Sequence, residues 1–129
     1  SFSVPTGNFG DIYAGYLAKK LGLPIDKLIV ATNKNDILHR AISGGDYSQK
    51  KVEETNTPSM DIQIASNFER LLYDVKDCNS EVTKNVMAEI KNNTYKIDKS
   101  DLDKIKKIFV SEMLDENETI KMIKFLLKK

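Results

Sequence analysis

The segment Val4-Pro5-Thr6-Gly7-Asn8-Phe9-Gly10-Asp11 places two glycines and an asparagine where a short apolar run, Phe2 to Val4, hands over to a helical repeat. Backbone N–H groups that leave a strand and enter a helix have no intrahelical partner, and the helix dipole adds about half a positive charge there. A phosphate can accept several of those N–H groups at once. Glycine lets an anion approach the backbone with no Cβ in the way, and it opens the φ > 0 region. Asn8 adds a side-chain donor. The segment fits neither the Walker loop nor the G-x-G-x-x-G fingerprint of dinucleotide sites. Taken alone, it serves a tight strand-to-helix turn as well as it serves an anion cradle.

A second polar loop, Thr32-Asn33-Lys34-Asn35-Asp36, closes the apolar run Lys27–Thr32. Ligands of open α/β sheets sit beyond the carboxyl ends of the strands, so both loops are expected at one sheet edge. Asp36 fits as the N-cap of the following helix. That role leaves Asn33 and Asn35 unexplained and makes them candidates for contact with a ligand. The remaining reactive side chains are isolated. His39 is the only histidine and gathers too few partners for a metal site. Cys78 is the only cysteine, so no intrachain disulfide framework exists and a reducing cytoplasm is the expected setting. Lys19 and Lys20 precede a helix stop and are expected on its wet face.

These loops need a frame of strand, loop, helix, strand and helix within the first 45 residues. Residues 2–5 read as a strand. Phe9, Ile12, Tyr13, Tyr16, Leu17 and Leu21 then recur at helical spacing until Gly22 and Pro24 stop the helix. Lys27–Thr32 reads as a buried parallel strand, and Asp36–Ile42 as a short helix ended by Ser43-Gly44-Gly45. Residues 46–60 form a long polar stretch without periodicity, of the kind that is functional or mobile in compact domains. Beyond it, Met60, Ile64, Ala65, Phe68, Leu71, Leu72 and Val75 make one helical stripe. Ser80 is expected to cap the next helix, and Ser100 with Asp103 resembles a capping box. Phe109–Leu114 reads as a short edge strand, and Asp115 with Glu118 opens a last helix running through Lys128. The expected fold is a three-layer α/β sandwich with a small, mostly parallel sheet. It is one domain over 1–129, with an α/β part at 1–78 and a mainly helical part at 79–129.

Composition bounds the partners. The 129 residues are 40% apolar and 30% charged, with a net charge of +1. A chain of this size buries roughly two-thirds of its unfolded surface. Residues 1–60 carry 7 Lys/Arg against 6 Asp/Glu, and residues 61–129 carry 13 against 13. Neither half is polybasic, which excludes nucleic acid and acidic lipid as expected partners. No apolar run approaches the ~18 residues of a membrane span, and no signal-peptide pattern opens the chain. The first element begins directly after Ser1, and the expectation is a piece of a longer protein.

Longer blocks narrow the reading. The stretches VPTGNFGDIYAGYLAKKLGLPI, KLIVATNKNDILHRAISGGDY and TPSMDIQIASNFERLLYDV resemble threonine synthase in content, order and spacing over residues 4–75. The region from Ser80 and the DENETIKMIKFL ending resemble that family more loosely. The family depends on pyridoxal phosphate and converts O-phosphohomoserine and water to threonine and phosphate. The resemblance implies that Thr6, Gly7, Asn8, Phe9 and Gly10 wrap the cofactor's phosphate. It places Asn33, Asn35 and Asp36 near the cleft, with Ser59, Met60 and Asp61 as a further cleft-facing segment. The family's cofactor-bearing lysine stands in a Phe-Lys-Asp context, and no Phe-Lys pair exists here; nor does the chain reach the family's later Asp-Pro-His-Thr-Ala-like segment. No catalytic residue is therefore assigned. The implied protein is a middle segment of the enzyme, inactive alone, whose partners are the remaining segments and a second copy of itself. The alternative is a free-standing module that binds a small phosphorylated metabolite without catalysis.

Overall fold

Leu28-Ile29-Val30-Ala31-Thr32 is rich in β-branched and apolar residues, and it forms the centre of the sheet. The computed structural model describes residues 1–128. Its elements are β1 (Phe2–Pro5), α1 (Gly10–Lys20), β2 (Leu28–Thr32), α2 (Ile37–Gly44), α3 (Phe68–Val75), α4 (Ser80–Lys91), α5 (Lys99–Lys106), β3 (Phe109–Met113) and α6 (Glu116–Leu126), with a single 3₁₀ turn at Pro58–Met60. The strand order is β1-β2-β3 and both pairings are parallel. Val4 stands opposite Val30, and Leu28 opposite Phe109. The chain is of the α/β class, with helices supplying the crossovers that parallel strands require.

Side chains alternate across the sheet. Leu28, Val30 and Phe109 are buried on the helical side. There Gly15 of α1 approaches Leu28, the ring of Tyr16 meets that of Phe109 at 5.7 Å, and Ser111 Oγ donates to the His39 carbonyl of α2 at 3.3 Å. Ile29 and Ala31, on the other face, are half-buried, and Val110 is exposed. The core is one cluster centred on Phe9, Phe68 and Phe109, flanked by Ile12, Leu38, Ile42, Leu71, Leu72 and Ile105. Among the described residues, no helix is long and apolar enough to cross a membrane. Helix α6 buries none of its side chains, and Ile120, Ile123 and Leu126 are left exposed along it.

Three helix starts differ from expectation. The apolar stripe from Met60 to Val75 becomes helical only at Phe68. The cause is a tertiary contact: Tyr47 Oη accepts from the Ala65 N–H at 3.0 Å and so takes that donor out of any helix there, while the Ala65 carbonyl already accepts from Phe68 N–H at 3.0 Å in the turn that opens α3. Ser80 is the first helical residue, and Asn79 is the cap, accepting from Val82 N–H at 3.1 Å. Asp98 caps α5 by accepting from Asp101 N–H at 2.9 Å, in place of Ser100. By contrast, the capping box of Asp115 and Glu118 forms as read. Leu17 and Leu21 match the helical period of α1 yet are exposed.

The Phe68 ring is fully buried, edge-on to Phe9 at 5.2 Å and stacked on Tyr47 at 4.9 Å. Phe68→Ala is expected to lower the unfolding free energy in urea by about 3–5 kcal/mol. Leu21→Ala, at a residue 89% exposed, should change it by less than about 0.5 kcal/mol.

Candidate functional site

Thr6 leaves β1 still tied to the sheet, its N–H donating to the Ala31 carbonyl at 3.0 Å. Three residues later the backbone turns sharply. Phe9 caps α1 with φ 68° and ψ 10°, a left-handed conformation rare for a residue with a side chain. Its ring is wholly buried against Phe68 and Phe109. Asn8 Oδ1 accepts from Gly10 N–H at 3.1 Å, and the Asn8 carbonyl accepts from Asn67 N–H at 3.1 Å. The N–H groups of Gly7, Asn8, Phe9 and Asp11 have no hydrogen-bond partner among the described residues. Four backbone donors next to the start of an 11-residue helix are thus left unpaired among the described residues.

The opposite wall comes from the 3₁₀ turn. A Cβ on Gly7 would lie 3.0 Å from the Ser59 carbonyl oxygen and 3.2 Å from Met60 Cα. Only glycine permits this approach of two backbones. Between the walls lies a cleft of about 280 Å³ lined by Pro5, Thr6, Gly7, Asn8, Asp11, Ser59, Met60 and Ile62. A cradle of free N–H groups whose glycine leaves no room for a Cβ fits the phosphate of a cofactor.

Asn33 and Asn35 are not among the residues lining that cleft, and Asn33 lines a separate cavity with Thr57 and Leu114. Both asparagine side chains are buried. Asn33 Nδ2 donates to Asp61 Oδ1 at 2.8 Å and lies 2.9 and 2.8 Å from the hydroxyls of Thr55 and Thr57, while its Oδ1 accepts from Asn35 N–H at 2.9 Å. Asn35 Nδ2 donates to Asp61 Oδ1 at 3.0 Å and to the Glu53 carbonyl at 2.8 Å, and its Oδ1 accepts from Glu53 N–H at 2.9 Å. Asp61 also accepts from the Thr55 N–H at 2.8 Å and the Thr55 hydroxyl at 2.7 Å. Asp36 stands apart. It occupies the N-cap position of α2 with no capping bond, and instead pairs with Arg40 Nε at 2.9 Å and Lys50 Nζ at 3.5 Å.

The structure therefore brings Thr6, Gly7, Asn8, Ser59 and Met60 to one cleft. Phe9 and Gly10 contribute backbone to its loop, whereas Asn33, Asn35 and Asp61 lie outside its lining and form a hydrogen-bonded network next to Met60 in the chain. Lys20 pairs with Asp74, and Lys19 donates to the Ile25 carbonyl. Cys78 is exposed. Asn67, which sequence reasoning passed over, holds the glycine loop from α3. Its position just ahead of the Phe68 helix was the available signal.

The Thr55 hydroxyl, followed by the Thr55 N–H and the two asparagine amides, holds the Asp61 carboxyl below the ordinary aspartate value of 3.8 against the opposing effect of burial. A depressed carboxyl contributes stability above its unfolded pKa, and that contribution is lost as pH falls through the folded one. The Asp61 side-chain carbon is therefore expected to titrate below 3.8, with the amides of residues 53–61 shifting at the same midpoint. A midpoint at or above the ordinary value contradicts the network.

No family model matches the chain. Curated relatives do. The threonine synthase of Pseudomonas aeruginosa is 44% identical over 124 residues, covering 95% of this chain and 26% of that protein. The threonine synthase of Saccharomyces cerevisiae is 47% identical over 136 aligned positions, with the same coverage of each. Among solved structures, the pyridoxal-phosphate-bound threonine synthase of Brucella melitensis superposes with a TM-score of 0.95 at 44% identity, over 100% of this chain and 28% of that one. This chain spans about a quarter of the length of the curated relatives it matches. Over that span, the chain belongs to the threonine synthase family.

Proposed function

We propose that this chain supplies the phosphate-cradling wall of the pyridoxal phosphate site in a threonine synthase, a lyase that turns O-phosphohomoserine and water into threonine and phosphate. The observation that carries the reading is the set of free N–H groups on Gly7, Asn8, Phe9 and Asp11 at a glycine loop closed by Ser59 and Met60. A cofactor-bound relative of the same fold supports it. When bound, the cofactor supplies an electron sink for carbanion chemistry. The work of this chain is to bind and orient: the loop from Thr6 to Gly10 takes the phosphate, and the cleft faces of Ser59 and Met60 bound the space beside it. Asp36, paired with Arg40, steadies the loop that follows β2.

The chain acts as one structural unit and, lacking the cofactor-bearing lysine context, is inactive alone. Exposed apolar positions on β1 and α6 are where the remaining segments of the enzyme pack, or a second copy of the chain. A strictly monomeric sedimentation profile at high concentration argues against the second copy.

Two experiments test the reading. Charge-assisted hydrogen bonds contribute roughly 1.5–3 kcal/mol each against an association cost of about 4–15 kcal/mol. Titration of the labelled chain with inorganic phosphate is thus expected to shift the amides of Gly7, Asn8, Phe9 and Asp11 at about millimolar concentration. Gly7→Ala, which drives a Cβ against the Ser59 carbonyl, should weaken that response about tenfold. No shift in this loop at tens of millimolar (roughly an order above that estimate) removes the cradle. Separately, the full-length enzyme carrying this segment, loaded with cofactor, is expected to release phosphate from O-phosphohomoserine, and failure to do so removes the enzyme assignment.

A further inference from the structure

Ser59 and Met60 form one wall of the cleft, yet among the described residues no backbone hydrogen bond ties to the sheet the stretch 53–61 that carries them. Its backbone bonds are local: Met60 N–H to the Thr57 carbonyl, Asp61 N–H to the Pro58 carbonyl, and Ile62 N–H to the Met60 carbonyl. Side chains must therefore set its register against β2. Asn35 does so as a peptide mimic, since its amide exchanges two hydrogen bonds with the N–H and carbonyl of Glu53 as a neighbouring strand residue does. Asn33 does so through Asp61, whose carboxylate gathers both asparagine amides and both donors of Thr55, and through its own contacts with the Thr55 and Thr57 hydroxyls. One further tether, Asn56 N–H to Glu116 Oε1 at 2.7 Å, lies exposed at the far end of the stretch.

This geometry explains the residue types. Each amide must donate to a carboxylate or carbonyl and accept from an N–H with the same short side chain. A carboxylate at position 33 cannot donate and would face Asp61 with like charge. Asp61 is joined through one peptide bond to Met60, whose Cα, with the Ser59 carbonyl, meets Gly7. We propose that Asn33 and Asn35 are positioning residues: acting through Asp61, they hold the Ser59-Met60 backbone against Gly7 and so fix the mouth of the anion loop. They need touch neither cofactor nor substrate. The effect on anion binding rests on the phosphate-cradle reading above; the effect on the loop's shape does not.

The test uses the labelled 129-residue chain with and without inorganic phosphate. Without ligand, Asn33→Asp is expected to shift the amides of Thr57, Ser59, Met60 and Asp61, and also those of Gly7 and Asn8, which are remote in sequence. Thr55→Val removes one hydroxyl from Asp61 and should move the same amides less, which keeps the test available if Asn33→Asp does not fold. With phosphate, Asn33→Asp should weaken binding about tenfold in the native background and hardly at all in an Asp61→Asn background, because the two act through one carboxylate. Val75→Ala, a core truncation in α3, should lower the melting temperature without changing phosphate affinity. Unmoved Gly7 and Asn8 amides, or additive losses from Asn33→Asp and Asp61→Asn, overturn the proposal. If the native chain gives no phosphate response, the anion reading falls while the ligand-free amide comparison still decides the clamp.

Discussion

A wholly buried ring on a left-handed backbone is the constraint on which the rest of this structure depends. Holding Phe9 at φ 68° costs about 1–2 kcal/mol relative to the ordinary helical region. Burial of the ring offsets that by roughly 1.5–3 kcal/mol, and the edge contact with Phe68 and the tilted contact with Phe109 add about 0.5–1.5 kcal/mol each. The turn survives because three distant elements hold its side chain. Phe68 comes from the start of α3, Phe109 from the start of β3, and Phe9 itself lies between β1 and α1. With the ring fixed inward, the N–H groups of Gly7, Asn8 and Phe9 are left without partners among the described residues. A donor array of this kind exists only in the assembled fold.

The same sheet edge is organised from a second direction by charge. Asp61 holds the wall opposite the glycine loop, as the aromatic rings hold the loop itself. The two devices meet at Gly7, where backbones approach so closely that a side chain cannot enter. Neither the rings nor Asp61 enters the cleft, whose one charged lining residue is Asp11. An anion placed there would be met by backbone dipoles and the start of a helix, with Asp11 just inside the first turn. That is an environment suited to a phosphate whose charge is shared among many weak donors, in line with the family to which the chain belongs.

Much of the frame was legible in the sequence because its causes are local. The β2 run, the stop at Gly22 and Pro24, and the box of Asp115 and Glu118 each carry their reason within a few residues. The stripe from Met60 to Val75 misled for the opposite cause. Its period continues through a stretch where Tyr47, 18 residues away from Ala65, claims the backbone. Helix α4 starts one residue earlier than expected, with Asn79 in place of Ser80 as its cap, since a one-residue shift changes little in pattern and everything in geometry. The site shows the same division. The strand-to-helix turn at the glycine loop was readable from residue type, whereas its reading as an anion cradle came from the resemblance of the longer blocks. Asn33 and Asn35 stood out as unexplained asparagines, and the reason for them lies 18 to 28 residues further on, at Glu53 and Asp61. Asn67 offered only its place ahead of the Phe68 helix as a signal, and its bond to the Asn8 carbonyl forms only in the folded chain.

The most direct test of this account is a crystal structure of the chain grown with inorganic phosphate. The account predicts an anion within hydrogen-bonding distance of the N–H groups of Gly7, Asn8, Phe9 and Asp11, with Phe9 still left-handed and its ring between Phe68 and Phe109. A phosphate bound elsewhere with this loop empty, or a Phe9 that relaxes to negative φ, would contradict it.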